Sequence, residues 1–169
     1  MNNEPGKSLP DLSTIKLLAF DVDGVFTDGR FYLSDDGVET KAFCTQDGYG
    51  VRQAMASGIE IAVISGRKSR AVERRMLELG VAHVVLGSSD KVADCDRLRK
   101  LLQFEWKNCA YVGDDNPDLP LLRKVGFSVA VANAVVDVQN ECDYTTIASG
   151  GFGAVREVCD LVRLAHHRK

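Results

Sequence analysis

Several things are missing from this chain of 169 residues, and each absence closes off a class of function. No apolar run reaches the length needed to span a bilayer, and the first fifteen residues lack the apolar core of a signal peptide, so a cytoplasmic protein with no membrane partner is expected. There is no excess of positive charge. The formal net charge is −3, which gives no support to nucleic-acid binding and no general field for anions, so an anionic ligand has to be held by local groups. CxxC spacing is absent too: the five cysteines are odd in number and widely scattered, which favours buried thiols in a reducing compartment over a zinc site or disulfides. What remains is an ordinary globular composition, 45% hydrophobic and 27% charged, long enough for one full core. Residues 1–14, with Pro5, Gly6 and Pro10, read as a flexible leader, and residues 15–169 as a single domain.

The stretch from Leu17 to Gly29, LLAFDVDGVFTDG, organises the rest. Four apolar residues end abruptly at Asp21, with Asp23 two residues on, as in a buried parallel strand that opens into a crevice at its carboxyl edge. In an extended segment the two acids would share one side, and their repulsion would call for a cation or a shared proton. A Gly-rich turn with acids as caps is the structural alternative.

Four more apolar runs repeat the pattern. Ile59 to Ile64 ends in Ser65-Gly66-Arg67, which suits an oxyanion as well as it suits a plain strand-to-helix turn. Val81 to Leu86 is followed by Lys91 at the start of a helix, Cys109 to Val112 by Gly113-Asp114-Asp115-Asn116-Pro117-Asp118, and Phe127 to Val131 by a weaker helix. Asp47 is expected to cap a helix running to Ser57, and Tyr144 to Ile147 to form an edge strand. Val155, Val158, Leu161, Val162 and Ala165 mark a final amphipathic helix, after which His166 to Lys169 reads as a frayed basic tail. The alternation predicts an α/β, three-layer Rossmann-like fold with a mostly parallel central sheet. Residues 30–44 carry an Asp-Gly turn between apolar and β-branched runs, a predicted β-hairpin inserted after the first strand. Its aromatic residues Phe31, Tyr32 and Phe43 need a surface, either this domain or another subunit. Hard oxygen ligands at three strand ends suit Mg2+, and a carboxylate beside it is what phosphoryl transfer through an aspartyl-phosphate requires.

DVDG, SGR, the lone Lys91 and GDDNPD resemble, in order, the four motifs of the haloacid dehalogenase superfamily. From Leu17 to Ala165 the chain is further similar to its 3-deoxy-D-manno-octulosonate 8-phosphate phosphatase family, through DVDGVFTDG, KAF, DGYGVR, SGRKS, GDDNPDLP, VGFSVAVANA and GAVREVCDLV. The resemblance implies Mg2+-dependent hydrolysis of a sugar acid phosphate in lipopolysaccharide biosynthesis. By motif it makes Asp21 the nucleophile and Asp23 the acid–base group, with Ser65 and Lys91 holding the phosphate. It puts the metal on the carboxylates of Asp21 and Asp114 and the carbonyl of Asp23, with Asp115 organising the metal shell and Lys91, and Asp118 in support. Thr27, Gln46, Gly66, Arg67, Lys68 and Phe152 fall at implied substrate-binding positions. Neither the interval between Asp23 and Ser65 nor that between Ser65 and Lys91 has room for a cap domain, and the resemblance implies a homotetramer in which a neighbouring subunit covers each site. Gln46 and Phe152 depart from arginines common in the family, which leaves a nine-carbon sugar acid 9-phosphate or another small phosphomonoester as alternative substrates. A non-catalytic oligomerisation module and a response-regulator-like phosphoacceptor are readings of other classes; the intact acids and Lys91 argue against the first, and the pairing of DVDG with GDDNPD against the second.

Overall fold

In the computed structural model, which describes residues 9–167, β1 (Leu17–Phe20) lies at the centre of a six-stranded sheet, and all four of its side chains are shut away from solvent. It pairs in parallel with β4 (Glu60–Ser65) on one side and β6 (Cys109–Gly113) on the other. β5 (His83–Leu86) continues beyond β4, and β7 (Phe127–Ala130) and β8 (Tyr144–Thr145) continue beyond β6. Every pairing in the sheet is parallel, so the apolar runs are runs because both of their faces are covered.

The order β5-β4-β1-β6-β7-β8 decides where the helices go. From β1 the chain steps outward twice through α1 (Thr45–Ala56) and α2 (Arg70–Leu79), then doubles back across the sheet through α3 (Lys91–Leu101). It then steps outward the other way through α4 (Leu119–Leu122) and α5 (Val136–Glu141). Right-handed crossovers therefore put α1 and α2 on one face and α3, α4 and α5 on the other. The last helix, α6 (Ala154–His166), packs against α1. The order reverses between β1 and β6, so the loops leaving their carboxyl ends diverge and open a crevice there.

The predicted hairpin is present but short. β2 (Tyr32–Leu33) and β3 (Glu39–Thr40) pair antiparallel, with Gly37 at φ +81° in the turn, and Tyr32 and Leu33 are exposed. Among the described residues no cap domain follows it. Of the expected leader, residues 1–8 lie outside the described residues, while Leu12–Thr14 form a 3-10 turn with Leu12 buried. His166 is not frayed: its Nε2 lies 2.7 Å from the Ile15 carbonyl; Arg168 and Lys169 lie outside the described residues. Asp47 does not cap α1 either. It sits buried in the first turn of that helix and accepts the Arg156 N–H at 2.8 Å, serving the orphan donors at the start of α6 instead.

Candidate active site

Asp21 follows β1 and Asp114 follows β6, which sets the two acids on either side of the reversal in strand order. Beyond Asp21 the backbone turns at once: the N–H groups of Val25, Phe26 and Thr27 all reach the Val22 carbonyl. The backbone at Asp21 and Asp23 is therefore a turn and not the extended segment expected; both acids still line one cleft, but their side chains take different partners. Gly24, at φ +81°, lies so close to the neighbouring loop that a Cβ there would come 1.9 Å from Asp114 Oδ2.

Asp21 Oδ1 accepts the Val22 N–H at 2.6 Å and Oδ2 accepts from Lys91 Nζ at 2.8 Å. The same ammonium reaches Asp118 Oδ1 at 2.6 Å and the Tyr111 hydroxyl at 3.2 Å. Asp118 is buried and fully engaged: Tyr111 donates to Oδ1 at 2.7 Å, and the N–H groups of Asp114 and Asp115 donate to Oδ2 at 3.0 and 3.3 Å. The contact with Lys91 expected of Asp115 is thus made by Asp118. Asp115 instead turns its carboxylate to the Asn116 N–H at 2.7 Å, capping the short 3-10 turn Asn116–Asp118.

Three carboxylates crowd one point, since Asp21, Asp114 and Asp118 offer oxygens within 4.8 Å of one another. Burial, followed by the charge of Asp118, pushes the Asp21 carboxyl up to about 6 against the pull of Lys91. Burial again, then Asp118 and Asp21, push Asp114 up to about 7. Burial works against the Lys91 ammonium, yet Asp21 and Asp118 hold it above its ordinary value.

A cleft of about 310 Å³ opens over these groups, lined by Asp21, Asp23, Lys91, Asp114, Asp115 and Asp118 and, from the end of β4, by Ser65, Gly66 and Arg67. Asp23 turns to the hairpin side, where Lys41 meets Oδ1 and Arg67 Nε lies 3.6 Å from Oδ2. Neither Lys41 nor Tyr111 is singled out by sequence reasoning. Tyr111 is hidden within an apolar strand, and the one signal for Lys41 is a lysine inside the KAF stretch that carries the family resemblance.

A family model described as haloacid dehalogenase-like hydrolase matches residues 83–155. The chain is 50% identical over 151 residues to the 3-deoxy-D-manno-octulosonate 8-phosphate phosphatase of Salmonella typhi, covering 89% of this chain and 80% of that protein. The crystal structure of the Yersinia pestis 3-deoxy-D-manno-octulosonate 8-phosphate phosphatase superposes with a TM-score of 0.92 at 44% identity, over 94% of this chain and 85% of that one. The Moraxella catarrhalis phosphatase of the same name, in complex with a magnesium ion, a phosphate ion and a KDO molecule, superposes with a TM-score of 0.91 at 44% identity, over 94% and 91% of the two chains. The chain belongs to the 3-deoxy-D-manno-octulosonate 8-phosphate phosphatase family.

As in a cap-less member of this phosphatase family, the cleft is lined by the loops that follow the strand ends and by Lys91 at the start of α3. Its donor set fits magnesium: every candidate ligand is a hard oxygen, and the burial and neighbouring negative charge that raise Asp21 and Asp114 disfavour bare carboxylates, a cost that a divalent cation offsets. The positions at which the resemblance implies substrate binding divide into two groups. Gly66 and Arg67 line the cleft. Thr27 is wholly buried, its Oγ1 accepting the Gly24 and Gly29 N–H groups at 3.3 and 3.2 Å, so it braces the loop after β1 and does not face the cleft. Lys68 packs its stem beneath Gly87, while Gln46 and Phe152 lie exposed beside the start of α6, outside the cleft. All five thiols are free, with four of them buried, and no helix among the described residues is long and apolar enough to cross a membrane.

Proposed function

We propose that the protein is a phosphatase that hydrolyses 3-deoxy-D-manno-octulosonate 8-phosphate to the free sugar acid and phosphate in the presence of Mg2+, within one domain spanning residues 15–169 and in the cytoplasm. The observation that carries this reading is Lys91 held between Asp21 and Asp118, with Asp114 facing Asp21 across the reversal of strand order. The magnesium and KDO bound by the Moraxella catarrhalis relative support the cofactor and the substrate class.

In this reading a carboxylate oxygen of Asp21 forms a bond to phosphorus as the ester P–O bond breaks, and Asp23 gives its proton to the departing sugar oxygen. Asp23 then takes a proton from water, whose oxygen attacks phosphorus and frees Asp21. The Ser65 hydroxyl and the Lys91 ammonium hold phosphate oxygens, and Lys91 keeps Asp21 aimed. Asp21, Asp114 and the Asp23 carbonyl hold Mg2+, with Asp115 and Asp118 supporting them; when bound, the ion supplies positive charge against the phosphoryl oxygens. Gly66 and Arg67 meet the substrate from within the chain. Thr27, Gln46, Lys68 and Phe152 contribute to its binding only by shaping loops or through a neighbouring subunit.

A homotetramer suits this reading. The cleft is open, and the hairpin presents Phe31, Tyr32, Leu33 and Val38 to solvent, an apolar patch that a second copy would cover. Light scattering at assay concentration checks it, and a monomeric mass overturns it.

The test of function is kcat/KM for phosphate release from 3-deoxy-D-manno-octulosonate 8-phosphate with Mg2+, beside a nine-carbon sugar acid 9-phosphate and simple sugar phosphates. A strong preference for the eight-carbon acid is expected, along with loss of all turnover in Asp21→Asn. Flat activity across the panel would show that Gln46 and Phe152 mark a different substrate.

A further inference from the structure

Four charged side chains close a ring along one wall of the cleft. Lys41 Nζ contacts Asp23 Oδ1; Arg67 Nε lies 3.6 Å from Asp23 Oδ2, and its terminal nitrogen lies 2.7 Å from Glu39 Oε2. Glu39 Oε1 completes the circuit 3.9 Å from Lys41 Nζ and accepts the Ser69 hydroxyl at 2.6 Å. The charges alternate in sign, so each has an opposite charge on both sides.

Exposure is uneven around this ring. The Lys41 side chain is wholly buried, whereas Asp23 keeps 24% and Arg67 49% of theirs. The Phe31 ring lies 5.7 Å from Lys41 Nζ and 4.3 Å from Arg67 Cζ, which puts an apolar wall beside both cations. A buried ammonium is costly unless it is paired, and the close partner of this one is a single oxygen of Asp23. The other Asp23 oxygen faces the longer and more open contact with Arg67, on the cleft side.

We propose that Lys41 is a positioning residue that acts through Asp23. By gripping Oδ1 it turns Oδ2 toward the side of the cleft where a leaving oxygen would depart, and through Glu39 it ties that orientation to β3 of the hairpin. Lys41 keeps its proton throughout; the proton that moves is the one passing from Asp23 to the leaving oxygen and later from water to Asp23. The inference rests on the reading of Asp23 as the acid–base group.

The experiment compares kcat/KM, which reports on steps up to leaving-group departure, for the sugar acid 8-phosphate and for 4-nitrophenyl phosphate, whose leaving group needs little protonation. General acid catalysis contributes about 10²–10⁴-fold. Lys41→Met is expected to lose roughly thirtyfold or more on the alkyl ester and less than about threefold on the aryl ester, with Mg2+ affinity unchanged and Lys41→Arg recovering part of the loss. If Lys41→Met does not fold, Glu39→Gln, which keeps Lys41 but unbalances the ring, is expected to show the same selectivity more weakly. Equal losses on both esters, while Asp23→Asn remains selective for the alkyl ester, would overturn the role of Lys41 and leave that of Asp23 standing. Absence of selectivity in Asp23→Asn would overturn the acid–base reading itself, and this inference with it.

Discussion

The Tyr111 hydroxyl donates at 2.7 Å to the same Asp118 oxygen that receives the Lys91 ammonium at 2.6 Å. Tyr111 is wholly buried in β6, so a phenylalanine would fill its space and remove only the hydroxyl, which donates to Asp118 and accepts from Lys91. Tyr111→Phe is expected to cost about 1 kcal/mol of stability, a fall in Tm of about 2–4 °C by thermal unfolding. If the same energy is also lost from the transition state, kcat falls about fivefold. A variant indistinguishable from the parent in both would show that Lys91 and the two backbone donors suffice to hold Asp118.

Gly24 allows the turn after β1 to pass close to the Asp114 carboxylate. Gly24→Ala brings both a strained positive φ and a Cβ 1.9 Å from Asp114 Oδ2. Displacing that carboxylate is expected to weaken Mg2+ binding more than about tenfold, as a misplaced ligand does, with a parallel loss of turnover. Titration calorimetry with Mg2+ alone reads the first effect, and an unchanged affinity would mean that the loop shifts as a whole.

Protons compete with the metal here. Asp114 titrates at about 7 and Asp21 at about 6, both raised first by burial, so each must lose a proton to serve as a ligand at lower pH. Mg2+ affinity is expected to fall about tenfold or more between pH 8 and pH 6; an affinity that does not vary with pH would contradict the assignment.

The same two groups set the sign of a stability effect. Their folded values lie above the ordinary carboxylate range, so the native state binds more protons than the unfolded chain between about pH 4 and 7. The metal-free protein should therefore lose Tm as pH rises from 5 toward 7.5, and Mg2+ should restore stability most at the upper end. A Tm that rises across this range without metal would oppose the prediction.

Asp47 offers a control away from the cleft. Its carboxylate accepts the Arg156 N–H at the start of α6, so Asp47→Ala removes a cap and is expected to cost about 1 kcal/mol. Denaturant unfolding should show the loss, while KM for the sugar acid phosphate stays within about twofold, since the effect on binding is below half a kcal/mol.

The acids at the carboxyl ends of the strands were legible in the chain because the signal is local: an apolar run that stops at a carboxylate or hydroxyl marks the end of a buried parallel strand. Repeated with intervening helices, it implied the open parallel sheet, and the order of the motifs identified the family. Strand Leu17–Phe20 and its followers Asp21, Ser65, Lys91 and Asp114 needed no tertiary knowledge to be found.

Contacts between distant segments were not legible. Asp115 and Asp118 are equally good acids on paper, and only the packing of the loop against Tyr111 and Lys91 turns Asp118 inward and leaves Asp115 to cap a turn. Asp21 and Asp23 line one cleft yet take different partners, because the chain turns immediately after β1 and alternation of side chains holds only in extended backbone. Thr27 is a brace because its loop folds over it, and Lys41 meets Asp23 because the strand leaving the hairpin returns beside the loop after β1. The sequence by itself determined which residues carry charge and which segments form the strands of the sheet, their bounds shifting by up to two residues in the fold, since these follow from composition and short-range pattern. Which charges meet was decided only by the tertiary structure, because a pair such as Asp21 and Lys91, seventy residues apart, is brought together by strand order and by nothing in either residue's neighbourhood.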